Sequence, residues 1–189
     1  NRPDIRTWLT KVSEEQEVSV EFYQQRVIWP AVALKRLVEG KIEITEEDLK
    51  KGFEANYGER VRCRAIVVDN LRIAQEVWEK VRRNPTVENF ASLAEPYSSD
   101  PSSRQLGGQI PPVHRHSGRP VLEEAAFELE AGKFSSVLMV DRKYVLLFCE
   151  GRTTPVQVTF EVVRDEIYDE IFEKKQRIAM ANAYAELQD

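Results

Sequence analysis

The chain has 189 residues, 42% of them hydrophobic and 31% charged, a balance ordinary for a globular protein that excludes disordered and collagen-like classes. Its 27 basic residues against 32 acidic ones leave a net charge of -5, which argues against nucleic acid as a partner because phosphate-backbone binding needs a clustered positive field. No apolar run approaches the roughly 20 residues that cross a bilayer and no charged-then-apolar leader is present; Asn1 in place of a starting methionine reads as a processed or trimmed chain, with room upstream for an export signal or membrane anchor.

The first third reads as helix. Ile5, Trp8, Leu9 and Val12 share one face of a short first helix, and Tyr23, Val27, Ala31, Leu34 and Val38 share one face of a longer second one. Pro30 lies inside that second pattern, where it is expected to kink the helix or begin a new segment, and Gly40 supplies a stop. Thr45, with Asp48 three residues on, has the form of a capping box that opens a third helix ending near Tyr57-Gly58. The pattern then changes at Val61 to Val68, a β-branched run of strand length that exits at Asp69-Asn70 into a helix with Ile73, Val77, Trp78 and Val81 facing inward. Trp8, Trp29 and Trp78 all match inward helical faces. Arg62, Arg64 and the Lys80 to Arg83 group read as solvated faces.

Asn84-Pro85-Thr86 breaks that helix and caps the next, in which Phe90, Leu93, Ala94 and Tyr97 recur at helical spacing. A Ser/Asp/Pro loop follows, then Gly107-Gly108, where the backbone can bend sharply. Beyond a loop holding Pro111, Pro112, His114, His116, Gly118 and Pro120 comes a short helix, Leu122 to Phe127. Val137 to Val140 and Tyr144 to Cys149 read as a hairpin joined at Asp141-Arg142-Lys143. Past Thr153-Thr154-Pro155 the chain turns helical to its end. Phe160, Val163, Ile167, Ile171, Ile178 and Tyr184 mark an apolar stripe too long to stand without a partner surface, and the N-terminal helical third is the expected one. Cys63 and Cys149 lack metal-ligand spacing and read as small buried side chains, close enough to bridge if their two strands pair.

The order strand, helix, helix, glycine-pair loop, short helix, hairpin resembles that of the parvulin family of peptidyl-prolyl isomerases. Several motifs fit residue by residue. Val61-Arg62-Cys63 stands where the family begins its first strand, Tyr97-Ser98-Ser99-Asp100-Pro101 is similar to its YS-x-D loop, and Gly107-Gly108 to its glycine pair. Glu123-Glu124-Ala125-Ala126-Phe127, followed by Leu129 and Gly132, resembles its "EEAAF, L, G" segment. The flanks, Thr45 to Tyr57 and Glu170 to Leu187, resemble the helices that embrace this domain in exported foldases and periplasmic chaperones. The resemblance implies an α+β fold: a parvulin-like domain, residues 59–152, with a small antiparallel sheet, inserted in a helical chaperone-like module built from residues 1–58 and 153–189. It also implies an extracytoplasmic location, in the periplasm or cell envelope.

Parvulin chemistry is rotation about X-Pro bonds, which face a barrier of about 18–20 kcal/mol. No bond breaks, so a site has to hold the proline ring in an apolar pocket and favour the twisted amide. In the family two strand histidines and a Cys or Asp lie under that pocket. Here the histidine positions are Ala65 and Val145, Asp100 matches the acid, and a pocket methionine and phenylalanine are replaced by Gly118 and Leu122. The "DLGWF" continuation of the glycine pair reads Gln109-Ile110-Pro111-Pro112. The resemblance thus assigns Asp100 as the one candidate catalytic group and Ala65, Gln109, Leu122, Phe127 and Val145 as substrate-binding positions. The two histidines, His114 and His116, fall in a loop, and without neighbouring Cys or carboxylate ligands they read as solvated rather than as a metal site. No cofactor is implied. A link as short as Asp69-Asn70 leaves no room for the basic loop of phosphate-directed relatives.

The expected function is a folding factor that binds unfolded or proline-containing polypeptide segments with weak or absent isomerase activity. An active isomerase using Asp100 in an apolar pocket, and a scaffold docking one specific protein partner, are the alternatives.

Overall fold

The computed structural model describes residues 4–187. Up to Thr45 and again from Tyr168 onward these residues form one compact helical unit, and Glu46–Ile167 form a second, α+β one.

In the helical unit α1 (Ile5–Glu15) is followed by α2 (Val20–Tyr23), a π-helical segment (Gln24–Ile28) and α3 (Trp29–Glu39). The Ser19 hydroxyl caps α2 by accepting the Phe22 N–H at 3.1 Å. Pro30 sits in the first turn of α3, where a missing N–H costs least, directly after the π segment. A π turn holds one residue more than an α turn, so the apolar stripe slips by one position. Ile28 is half-buried, whereas Val27, expected on the inward face, is 45% exposed. Leu34 and Val38 return to the interior. In α1 the expected face turns in only at Leu9 and Val12; Ile5 and Trp8 are exposed, and so is Trp29 at 67%.

The last helix, α9 (Phe160–Glu186), runs from the α+β unit into the helical one. Val163 and Ile167 are buried in the first, and Ile171, Lys175, Gln176 and Ala179 are buried or half-buried in the second. Ile178 and Tyr184, read as part of its stripe, are exposed. At 3.6 residues per turn the inward face passes from Ile171 to Lys175 and Ala179 and misses Ile178. Lys175 Nζ donates to the Glu43 carbonyl at 2.8 Å.

The α+β unit starts with α4 (Glu46–Tyr57), whose Phe53 ring packs edge-on against Phe160 at 5.7 Å. Its sheet is antiparallel in the order β1-β3-β2, with β1 (Val61–Val68), β2 (Leu138–Val140) and β3 (Lys143–Arg152). Asp141 and Arg142 both adopt positive φ, 49° and 66°, which matches the two-residue turn whose twist suits a hairpin. Between β1 and the hairpin lie α5 (Leu71–Arg83), α6 (Val87–Tyr97), the one-turn α7 (Pro101–Arg104) and α8 (Pro120–Glu128). Thr86 caps α6, as the sequence grammar anticipates, and Asn70, read only as part of the exit from β1, caps α5.

Strand alternation divides the interior in two. Ile66, Val68, Leu146 and Phe148 pack on one face against Ala74, Val77 and Val81 of α5 and Phe90 and Ala94 of α6. Trp78 packs beside them, stacked edge-on with Phe134, its indole N–H donating to Ser135 O at 3.2 Å. On the other face Val61, Cys63, Ala65, Val145, Leu147 and Cys149 meet Val113 and Ala126 of α8's side of the unit.

The outer side of β1 is bonded to the glycine-pair segment. Val61 and Val113 exchange N–H and C=O at 2.8 Å each way, Ala65 N–H donates to Gly108 O at 2.7 Å, and Ser99 N–H donates to Val67 O at 2.7 Å. Gly108 has φ +81°, and a Cβ there would stand 2.8 Å from Ala65 O, so the close approach requires glycine. Between Arg62 and Cys63 the register with β3 shifts, from Arg62↔Gly151 to Cys63↔Cys149, leaving Glu150 as the extra residue of a bulge. Glu150 turns back to Arg64 at 2.6 Å. Arg64 also donates to the carbonyls of Leu106 and Gly107 at 3.1 and 2.9 Å. Far from a solvated face, it ties β1 to the glycine loop, because its partners arrive from elsewhere in the chain.

Candidate functional site

On the second face the sheet is incompletely covered, and a groove of about 640 Å³ opens there. Its apolar surface comes from Ala65 and Val67 of β1, Val140 of β2, Val145 of β3, Leu122 of α8, and Ile110 and Val113 of the glycine-pair segment. Its rim is polar: Asp100 at the α7 end, His114, Ser117 and Arg119 on the loop before α8, Asp141 and Lys143 at the hairpin. Concave, mostly apolar sites with a few polar groups at the edge suit an apolar side chain held in an extended peptide.

The structure therefore brings Ala65, Asp100, Leu122 and Val145 to one groove. Gln109 and Phe127 lie outside its lining. Gln109 is exposed beside Arg64 at an isolated bridge. Phe127 packs against the inner cluster and lies under two guanidinium groups, Arg115 at 4.1 Å and Arg152 at 5.7 Å from the ring centre.

Asp100 is the N-cap of α7. Its carboxylate accepts the Ser103 N–H at 3.0 Å, the Ser103 hydroxyl, and the Ser102 hydroxyl at 3.0 Å. The Ser103 hydroxyl and then the Ser103 N–H hold its pKa below the usual carboxylate value. A carboxylate so held is an acceptor already in use, and it is ionised at neutral pH.

The loop wall is fixed by a residue that sequence reading did not single out as functional. Glu123, from the first turn of α8, accepts the Ser117 hydroxyl at 2.6 Å and the Arg119 N–H at 3.1 Å on one oxygen, and the His116 N–H at 2.8 Å on the other. His116, at φ +60°, reaches outward, its Nε2 2.7 Å from Glu54 of α4, which Arg115 also meets at 3.3 Å. His114 lines the groove, but its Nδ1 lies 2.9 Å from the Arg115 carbonyl. Among the described residues no group of three or more His, Cys, Asp or Glu could hold a metal ion, and no helix is long and apolar enough to cross a membrane.

Comparison with known proteins places this geometry. The family model described as Rotamase, PPIC-type PPIASE domain, matches residues 68–150. Foldase protein PrsA of Oceanobacillus iheyensis is 32% identical over 121 residues, covering 64% of this chain and 39% of the relative. Foldase protein PrsA 3 of Bacillus anthracis is 30% identical over 146 residues, covering 77% and 48%. The chain thus spans less than half the length of these curated relatives. Among solved structures, peptidylprolyl isomerase (PrsA) from Bacillus anthracis superposes with a TM-score of 0.66 at 17% identity, covering 95% of this chain and 80% of that one. Foldase protein PrsA from Streptococcus pneumoniae gives 0.61 at 23% identity, covering 88% and 62%. At those identities the likeness concerns the fold, which is α+β with helices at both chain ends.

Proposed function

Because residues 68–150 are a parvulin domain of the PPIC type, we propose that the chain is part of a folding factor that holds proline-containing or unfolded polypeptide segments, with little isomerase catalysis of its own. The observation that carries this reading is the composition of the groove floor. Ala65 and Val145 occupy the strand positions where the family resemblance puts histidines, and they leave an apolar surface continuous with Val67, Val140 and Leu122. Such a floor can take up a proline ring; it offers no hydrogen-bond network to stabilise a twisted amide beyond a ground-state one.

The active-isomerase reading rests on Asp100, which does reach the groove. Its carboxylate, however, is engaged by Ser102 and Ser103. The helical unit supplies a second kind of surface. Phe22, Trp29 and Ile5 are exposed there, apolar groups of the sort that hold unfolded chains. An extracytoplasmic place of action, the periplasm or cell envelope, follows from the resemblance to exported foldases.

An NMR titration with a short proline peptide tests the reading. Saturable shifts at Leu122 and Val145 are expected, with cis-trans exchange of the peptide close to its uncatalysed rate. Leu122→Asp is expected to weaken binding on the order of ten-fold, since it sets a charge in an apolar contact. Fast exchange abolished by Asp100→Ala would establish the active isomerase instead, and absence of any shift in the groove would favour the scaffold with a single protein partner.

A further inference from the structure

The two cysteines are buried reactive groups that the groove does not use. Cys63 and Cys149 stand opposite each other in the β1–β3 register, immediately after the bulge at Glu150. Both are free thiols, 1% and 0% exposed.

An antiparallel ladder has two kinds of facing site, and the backbone bonds identify this one. Cys149 N–H donates to Lys133 O and Cys149 O accepts from Gly132 N–H, each at 2.8 Å, while Cys63 O accepts from Ile110 N–H at 3.4 Å. These bonds all leave the facing strand. The cysteines are therefore a non-hydrogen-bonded pair, the kind whose Cα atoms stand about 4.5 Å apart and whose side chains are nearest. Both side chains belong to the same inner cluster, so they project from one face of the sheet. The spacing lies within the range of about 4.4–6.8 Å that a disulfide accepts.

We propose that Cys63 and Cys149 are an oxidisable pair that closes to an intramolecular disulfide, stapling β1 to β3 beside the groove floor. Each thiol gives up its hydrogen as the S–S bond forms. The two electrons and two protons pass to a small disulfide such as oxidised glutathione, which leaves as two thiols. The bridge fixes strand register at the place where Glu150 makes it irregular.

Burial sets the timing. Desolvation foremost, and then the neighbouring Cys149 and Glu150, push the Cys63 thiol up to about 12. In the folded chain Cys63 is held as the thiol and both sulfurs are buried away from an oxidant, so the bond forms while the chain is folding and is afterwards shielded from reductants. The proposal rests on the two strands and is independent of what the groove binds.

The test uses the full chain, unfolded in urea with dithiothreitol and refolded in mixed reduced and oxidised glutathione. Expected are loss of both maleimide-reactive thiols under denaturing conditions, a mass lower by two hydrogen atoms, and a digest peptide linking Cys63 to Cys149. The reduced chain exposed to the same buffer without prior unfolding is expected to oxidise slower by on the order of ten-fold or more. The Cys63→Ala variant is expected to keep one reactive thiol and give no linked peptide. Two persistent thiols after refolding, glutathione added at either cysteine, or links only between chains would overturn the pair. Equal oxidation rates with and without unfolding would overturn the folding-coupled step.

Discussion

Glu123 is the side chain from which the loop wall of the groove hangs. Burial pushes its carboxyl up, but the Ser117 hydroxyl and the N–H groups of Arg119 and His116 outweigh that and lower it below its ordinary value of 4.5. A carboxyl depressed in the folded state contributes stability above its unfolded pKa and loses it as pH falls through the folded value. Glu123→Gln is therefore expected to lose about 1 kcal/mol at neutral pH, and the gap from the unsubstituted chain should close as urea unfolding is repeated at pH values below 4.5. Asp100→Ala is a contrasting case. Loss of the α7 cap should cost about 1 kcal/mol in the same assay, while peptide isomerisation stays unchanged. At this scale the family resemblance pointed to Ala65, Asp100, Leu122 and Val145, which line one groove, and to Gln109 and Phe127, which do not. It did not reveal Arg64, whose partners Glu150, Leu106 and Gly107 are distant in the chain; alternation along a strand says only which way a side chain points.

Elements bounded by strong local chemistry were legible, and those decided by exceptions to helical period were not. β1 follows its β-branched run, and α5 and α6 begin at the capping residues Asn70 and Thr86. The π segment before Pro30 shifts the face of the second helix, and α7 is one turn with Ser102 and Ser103 in it, too short to have a period. Gly107-Gly108 shows how an element can depend on a single atom's absence. Gly108→Ala would put a Cβ 2.8 Å from Ala65 O at φ +81°, and a loss of about 3 kcal/mol is expected from clash and backbone strain together. Gly118→Ala, at φ +87° but with open space around it, should cost only the strain, about 1 kcal/mol. The two urea midpoints separate the effects.

At the scale of the whole molecule the candidate surfaces divide between the units, with the groove in the α+β unit and the exposed aromatics Phe22 and Trp29 in the helical one. Replacing Phe22 and Trp29 by Ser is expected to weaken suppression of client aggregation, followed by light scattering, and to leave proline-peptide shifts at Leu122 intact. A protein that handles unfolded chains works among strands in search of a neighbour, and an open sheet edge would anneal to them. Along β1 that invitation is largely withdrawn: both outward groups of Val61 are taken by Val113, the Cys63 carbonyl by Ile110, the Ala65 N–H by Gly108, and both outward groups of Val67 by Ser98 and Ser99. The other edge is β2, three residues long. On the proposed function, a polypeptide taken up by the groove would be discouraged from joining the sheet as an added strand and would be held through its side chains, so its release would require no ladder of backbone bonds to be unzipped.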